Sequence, residues 1–263
     1  MNKFILNYLG LFFVLLTILS FFNIIYSYYF NLYLNINSYF YTFLISLFAV
    51  LFSFFYKGLN IKISIYHKIF AVVLGYFLLP IIISIPFFLS IYNISFLDCY
   101  FEAISGFTST GFTIFENIKH LDESLILWRS TSQWIGGIYF LFSILLLIDI
   151  FDNSLKKSLT NFITFNYSEI FKQFLKILIL YTILTLFIFL FLKIINLRTF
   201  DSFNLSMTII SSGGFLPVND IGSIINTNLK EIIFSLLMLI SFFSLFLSYN
   251  LFFLKKKNIN FFI

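Results

Sequence analysis

The residues best suited to chemistry in this chain are hydroxyl side chains and glycines gathered in two short runs. The first is Phe101-Glu-Ala-Ile-Ser-Gly-Phe-Thr-Ser-Thr-Gly-Phe112. The second, about a hundred residues on, is Phe203-Asn-Leu-Ser-Met-Thr-Ile-Ile-Ser-Ser-Gly-Gly-Phe215. Each begins as a helix-compatible stretch and ends in Ser, Thr and Gly between long apolar segments. That pattern fits a re-entrant helix followed by an extended filter strand, because non-helical backbone is tolerated at membrane depth only where it is buried in protein or lines a watery cavity. A filter that strips water from an ion needs carbonyl oxygens facing one axis. Glycine allows the positive φ values that such backbone uses.

The elements around these runs must then be membrane spans. Of 263 residues, 60% are hydrophobic and only 10% charged. Soluble domains carry roughly 25% charge, so the sequence excludes an ordinary soluble enzyme or regulator. Helices of ~20 apolar residues cross the hydrocarbon, which places six spans near 4–29, 38–56, 66–92, 127–149, 170–196 and 228–254. The fold class expected is an all-α membrane protein, six transmembrane helices with two re-entrant pore loops. Phe96 to Gly106 makes a helix of about 16 Å, half a bilayer, and Thr199 to Ile210 is alike. Three parts follow: two leading helices over 1–60, a span–loop–span unit over 61–155, and a second such unit over 156–263. Gly111 and Gly213 set the repeat at 102 residues.

Charge sets the orientation. With both termini cytoplasmic, the inner side holds Lys3, Lys57, Lys62, Lys68, Lys156, Lys157, Lys172, Lys176 and Lys255 to Lys257, eleven cations. The outer side holds five, Lys119, Arg129, Lys193, Arg198 and Lys230. That is a positive-inside bias. Most acids fall outside, among them Asp98, Glu102, Glu116, Asp122, Glu123, Asp201, Asp220 and Glu231, while Asp149, Asp152 and Glu169 stay inside. An acidic mouth concentrates cations. The single cysteine, Cys99, excludes an intrachain disulfide, and His67 and His120 lack ligand-spaced partners. No phosphate-cradling loop or nucleophile constellation supports an enzyme or a cofactor. The Lys255–Lys257 run suits inner-leaflet phosphates rather than nucleic acid.

Ser105-Gly-Phe-Thr-Ser-Thr-Gly111 followed by Leu127-Trp-Arg-Ser-Thr-Ser-Gln-Trp-Ile-Gly-Gly137 resembles the first repeat of the Trk/Ktr family of potassium-uptake membrane subunits, TrkH-like members in particular. Thr208-Ile-Ile-Ser-Ser-Gly-Gly-Phe215 is similar to the second repeat's filter. The resemblance implies a potassium pathway built from four span–loop–span repeats, with backbone carbonyls coordinating K⁺ and Na⁺ as the competing cargo. Its filter strands correspond here to Thr108, Ser109, Thr110, Gly111 and Phe112, and to Ile210, Ser211, Ser212, Gly213 and Gly214. Arg129 and Glu102 are the candidate pore supports. Phe112 stands where the family has a small residue, and Ser109 and Ser212 replace threonines. The sequence spans two of the four repeats. The resemblance therefore implies a homodimer, or a complementary chain with the other repeats, in a bacterial inner membrane and among its lipids. A cytosolic nucleotide-binding regulatory subunit is a further partner it implies. The competing readings are a degenerate half-transporter without transport and a dimeric cation channel of other selectivity.

Overall fold

The computed structural model describes residues 3–56, 64–147 and 167–253, all helix, turn and loop, with no strand among them. The order is α1 (Lys3–Tyr29), α2 (Ile36–Phe55), α3 (Ile65–Ser90), α4 (Phe96–Phe107), α5 (Glu123–Leu147), α6 (Tyr167–Ile194), α7 (Thr199–Ser211) and α8 (Asn228–Phe253). Each lies within a few residues of the segment its sequence predicts. The part boundaries at 60/61 and 155/156 fall outside the described residues, as do Asp149, Asp152, Lys57, Lys62, Lys156, Lys157 and Lys255–Lys257.

Among the described residues, four helical segments are long and apolar enough to cross a membrane: Lys3–Tyr29, Tyr33–Phe55, Ile65–Ser90 and Phe174–Ile194. The chain is a multi-pass membrane protein. α5 has the length but carries Arg129-Ser-Thr-Ser-Gln133 in its first half. Its polar residues face protein, since Arg129, Ser130, Thr131, Ser132 and Gln133 are all buried. α4 and α7 are short, 12 and 13 residues, or about 18–20 Å at the helical rise.

α5 is the central post, with α1, α3, α4, α6 and α7 all packed against it. Aromatic rings fill the space between α1, α5 and α6. Phe12 meets Tyr139 at 4.7 Å and Phe174 at 5.4 Å between ring centroids, and Phe142 meets Phe174 at 5.2 Å. Three buried side chains hydrogen-bond from one helix to another, which meets their polar groups where no water reaches. Tyr139 donates to the Val72 carbonyl at 2.7 Å, Tyr8 and Ser143 share a bond of 2.9 Å, and Trp134 Nε1 donates to Thr185 at 3.0 Å.

α3 contains Pro80 and Pro86, each lacking the N–H that a helix interior uses. Close to each proline, a carbonyl three residues earlier accepts a side-chain donor from a neighbouring helix. Tyr100 of α4 donates to the Phe77 carbonyl at 3.1 Å, and Trp128 of α5 donates to that of Ile83 at 2.9 Å. These two bonds tie α3 to the short helix and to the post. At the start of α3, His67 Nδ1 accepts the Ser64 backbone N–H at 3.2 Å, an end-capping role.

Gly75 shows how tightly α3 meets α5. A Cβ there would lie 2.0 Å from the Tyr139 hydroxyl, whereas one at Gly222 would meet nothing nearer than an Asp220 carboxylate oxygen at 3.1 Å. Gly75→Ala is expected to cost about 1–3 kcal/mol as overpacking, and Gly222→Ala to stay near neutral. Thermal unfolding midpoints of the detergent-purified protein check this; equal midpoints would contradict the packing.

Candidate functional site

The two short helices end in loops of the same construction. After α4, Ser109 takes φ +56° and Gly111 φ +80°. After α7, Ser212 takes φ +54° and Gly214 φ +82°. The hydrogen bonds match too. Ser109 N–H reaches the Gly106 carbonyl at 3.0 Å and Thr110 N–H that of Ser105 at 2.9 Å, while Ser212 reaches Ile209 at 3.0 Å and Gly213 reaches Thr208 at 2.9 Å. Even the later single turns, Ile118–His120 and Ile221–Ser223, share the spacing. The repeat is therefore 103 residues, and Gly111 corresponds to Gly214 rather than Gly213. The segment equivalent to Thr108–Phe112 is Ser211–Phe215. Ile210, placed in the second strand from sequence, lies inside α7 and is buried as the counterpart of Phe107. A Gly-Gly pair offers two registers to a reader of sequence, and only the positive φ at the second glycine decides between them.

The loops touch backbone to backbone. A Cβ on Gly111 would sit 2.5 Å from the Gly213 carbonyl oxygen and 3.3 Å from the Gly214 Cα. Both short helices direct their C-terminal ends, which carry partial negative charge, at this junction. Thr108 and Thr110 share a hydroxyl–hydroxyl contact of 2.7 Å and stay exposed. Beside the junction lies a cavity of about 430 Å³ lined by Thr108, Ser109, Ser211, Ser212, Gly136 and Phe140. Gly136 is where α5 meets the end of α4, because a Cβ there would fall 1.9 Å from the Phe107 carbonyl oxygen. The glycine pair thus serves close packing.

A buried ion pair braces both loops. Arg129 Nε donates to Glu102 Oε1 at 2.8 Å, with the side chains 1% and 0% exposed. Glu102 Oε2 accepts the Ile114 N–H at 3.0 Å, and Arg129 Nη2 donates to the Thr113 hydroxyl at 3.0 Å, which fixes the strand after Gly111. The guanidinium also lies 4.2 Å from the centre of the Phe215 ring, on the other loop. Such a cation–π contact is worth about 2 kcal/mol when desolvated. One turn further along α5, Gln133 Oε1 accepts from the Thr208 hydroxyl at 3.0 Å and from the Phe215 N–H at 3.3 Å. The Phe215 carbonyl lies 2.9 Å from the same hydroxyl, whose one proton is shared between the two acceptors. The outer turns are joined by asparagines: Asn219 Nδ2 donates to Asn117 Oδ1 at 2.7 Å, and Asn219 Oδ1 accepts the Ile118 N–H at 2.7 Å.

Sequence reasoning named Arg129 and Glu102 as candidate pore supports, and the structure joins the two as a buried pair. It missed Gln133, Thr113, Phe215 and the asparagine link. Gln133 was findable, since it stands four residues after Arg129 and so on the same helix face. Outside the spans, Arg198 and Glu123 form an ion pair, and its hydrogen bond raises the guanidinium's pKa. The Asp201 carboxyl is pushed up mainly by burial, with the Arg198 charge opposing.

No family model matches the chain. An uncharacterized cation transporter of Methanocaldococcus jannaschii is 34% identical over 187 residues, 64% of this chain and 37% of that protein. The Trk system potassium uptake protein TrkI of Halomonas elongata is 42% identical over 55 residues, 21% of this chain and 11% of that one. Among solved structures, the potassium transporter TrkH of Vibrio parahaemolyticus matches with a TM-score of 0.72 at 21% identity, covering 90% of this chain and 49% of that one. The chain therefore spans about half or less of the proteins it matches. It is similar in sequence to Trk-type uptake proteins, none of them named as an enzyme, and it has the TrkH fold.

Removing one partner of a buried pair leaves an uncompensated charge and costs about 3–5 kcal/mol, while replacing both by apolar groups costs far less. Arg129→Met and Glu102→Leu should each lower the thermal midpoint more than the double variant does. A double variant at the sum of the single losses would argue against the pairing as the source of stability.

Proposed function

We propose that this TrkH-like chain takes part in moving a monovalent cation, K⁺ before Na⁺, across a bacterial inner membrane. The observation that carries this reading is the junction of two loops with one backbone geometry, 103 residues apart, at the ends of two half-membrane helices. Carbonyls of Thr108–Phe112 and Ser211–Phe215 replace part of the ion's hydration shell. The helix C-termini and the mouth acids favour positive charge there. In this reading α4 and α7 are re-entrant, the six long helices are spans, and both termini are cytoplasmic. The relatives' printed names, cation transporter and potassium uptake protein, support the cargo class. Two loops wall part of a ring, so the pathway closes with further loops from a partner or an adjoining segment. A cytosolic nucleotide-binding subunit is a further partner suggested by the family resemblance, and no tightly held cofactor is needed.

Gly111 and Gly214 separate the filter reading from a purely structural one. Both have positive φ, where a Cβ costs roughly 1–2 kcal/mol, but only at Gly111 would the Cβ also strike backbone, the Gly213 oxygen at 2.5 Å. At Gly214 the nearest such atom is 3.6 Å away. Gly111→Ala should thus impair K⁺ uptake and K⁺/Na⁺ discrimination more than Gly214→Ala, in a potassium-uptake-deficient strain expressing the complete assembly. Wild-type uptake and discrimination in both variants would sink the filter assignment.

Topology is checked separately. Cysteines replacing Glu116 and Asp220 in a Cys99→Ser background should react with impermeant reagent from outside the cell. Both sites are exposed, so labelling only after permeabilisation would reverse the orientation.

A further inference from the structure

α1 and α6 meet at one end and then part. The Phe12 and Phe174 rings touch at 5.4 Å between centroids. Further along both helices a cavity of about 680 Å³ opens between them, floored by α5 and α7. Its walls include Phe22 and Tyr29 of α1 and Leu186 of α6, each more than half exposed, so the groove is open toward lipid. Its floor includes Thr131, Trp134, Thr185 and Ser206, all buried. The protons of that floor are already engaged. Thr131, Thr185 and Ser206 donate to the carbonyls of Trp128, Tyr181 and Phe203, each at 2.8 Å, and Trp134 Nε1 donates to Thr185. No hydroxyl or indole proton there is left for water, and an empty groove forfeits the dispersion contacts of its lining. A hydrocarbon chain is the occupant that meets both demands.

The far end of the groove has a polar rim. Tyr26, which lines the groove, donates to Glu123 Oε2 at 3.3 Å, and its ring lies 6.4 Å from that of Phe200. Arg198 pairs with the same carboxylate and lies 5.4 Å from the Phe200 ring. Its side chain is 63% exposed, and its Nε and Nη1 have no acceptor among the described residues. In the first turn of α7, the Asp201 carboxylate likewise accepts no hydrogen bond among them. Tyr28, Tyr29 and Tyr33, at and just beyond this end of α1, are exposed, as tyrosines at the membrane–water boundary are. A guanidinium with free donors suits a phosphate, which takes two N–H groups at once. An anionic headgroup would set a further negative charge beside Glu123 and Asp201, whereas a zwitterionic one brings an ammonium to Asp201.

We propose that this groove holds one membrane lipid with a zwitterionic, amine-bearing headgroup, its acyl chain between α1 and α6, its phosphate on Arg198 and its ammonium at Asp201. Phosphatidylethanolamine has this chemistry. The lipid completes the seam between the two units, since α5 belongs to the first and α6 and α7 to the second. It fills the gap left where α1 and α6 diverge and where neither helix offers the other a side chain. The groove shares no lining residue with the cavity beside the loop junction. It therefore depends on the chain's place in a bilayer and not on which ion passes.

The test is native mass spectrometry of the complete assembly released from vesicles of equal palmitoyl-oleoyl phosphatidylethanolamine and phosphatidylglycerol. One lipid per chain is expected to stay bound, the ethanolamine form over the glycerol form by about fivefold, the upper worth of one exposed ion pair. Asp201→Asn should remove that preference while a lipid is still held, and Arg198→Gln should lower retention of both lipids. Leu186→Trp, which fills the groove from its open wall, should release the lipid. An equal or reversed preference in the parent chain, a preference that survives Asp201→Asn, or a lipid that survives Leu186→Trp overturns the proposal. Should Leu186→Trp disturb folding, Asp201→Asn still decides, because it changes the headgroup contact alone. A protein occupant is read separately with Leu186→Cys in a Cys99→Ser background. A disulfide joining two copies across the groove overturns the lipid assignment, and a chain that stays uncrosslinked under oxidant agrees with it.

Discussion

A guanidinium that reaches no water has to be answered by a fixed anion and by donors and acceptors placed to receive it, and Arg129 imposes that demand on most of the site. Glu102 answers the charge, and to do so α4 must lie against α5 at the one rotation that brings both side chains face to face. The remaining oxygens and nitrogens then take up Ile114 and Thr113, so the chain leaving Gly111 has a set course. The open face of the guanidinium takes the Phe215 ring. Glycines at 106 and 136 let the backbones come near enough for this. A Cβ on Gly106 would meet the Ser132 hydroxyl oxygen at 2.3 Å. An arrangement built around one buried ion pair is sensitive to the loss of either partner, and specificity of geometry is what such a pair contributes.

Much of this fold was legible in the sequence because the bilayer restricts the choices. Long apolar segments can only be helices, and their ends came within a few residues of α1 to α8. The short helices were equally plain, since Phe96–Phe107 and Thr199–Ser211 are too short to cross yet too apolar to stay in water. The register of the second loop was not legible. Ser211-Ser-Gly-Gly214 permits two alignments on Ser109-Thr-Gly111, and residue types do not rank them. Dihedral angles do. The helix repeat sets Gln133 beside Arg129, but its partners, Thr208 and Phe215, stand 75 and 82 residues away, and no local pattern announces which groups it binds.

The duplicated loops also show where symmetry of backbone stops short of symmetry of contact. Ser109 and Ser212 adopt the left-handed conformation despite carrying side chains, a departure that the surrounding hydrogen bonds hold in place twice over. Their neighbours diverge. Thr110 fills with its own hydroxyl the space that Gly213 leaves to a carboxamide from α5. The two loops therefore share a trace but not a lock, and substitutions at matching positions have unequal consequences.

The asparagine and arginine links have a consequence in time. Arg129 and the Leu216 carbonyl it approaches are 87 residues apart, and Asn117 and Asn219 are 102 apart. At roughly 5–20 residues per second of synthesis, the first loop emerges about 5–20 s before the ring that caps its arginine. Through that interval Glu102 is the nearest available counter-charge, already on the ribosome's finished side. The nascent first unit enters the bilayer half assembled, and its maturation waits on the arrival of Phe215.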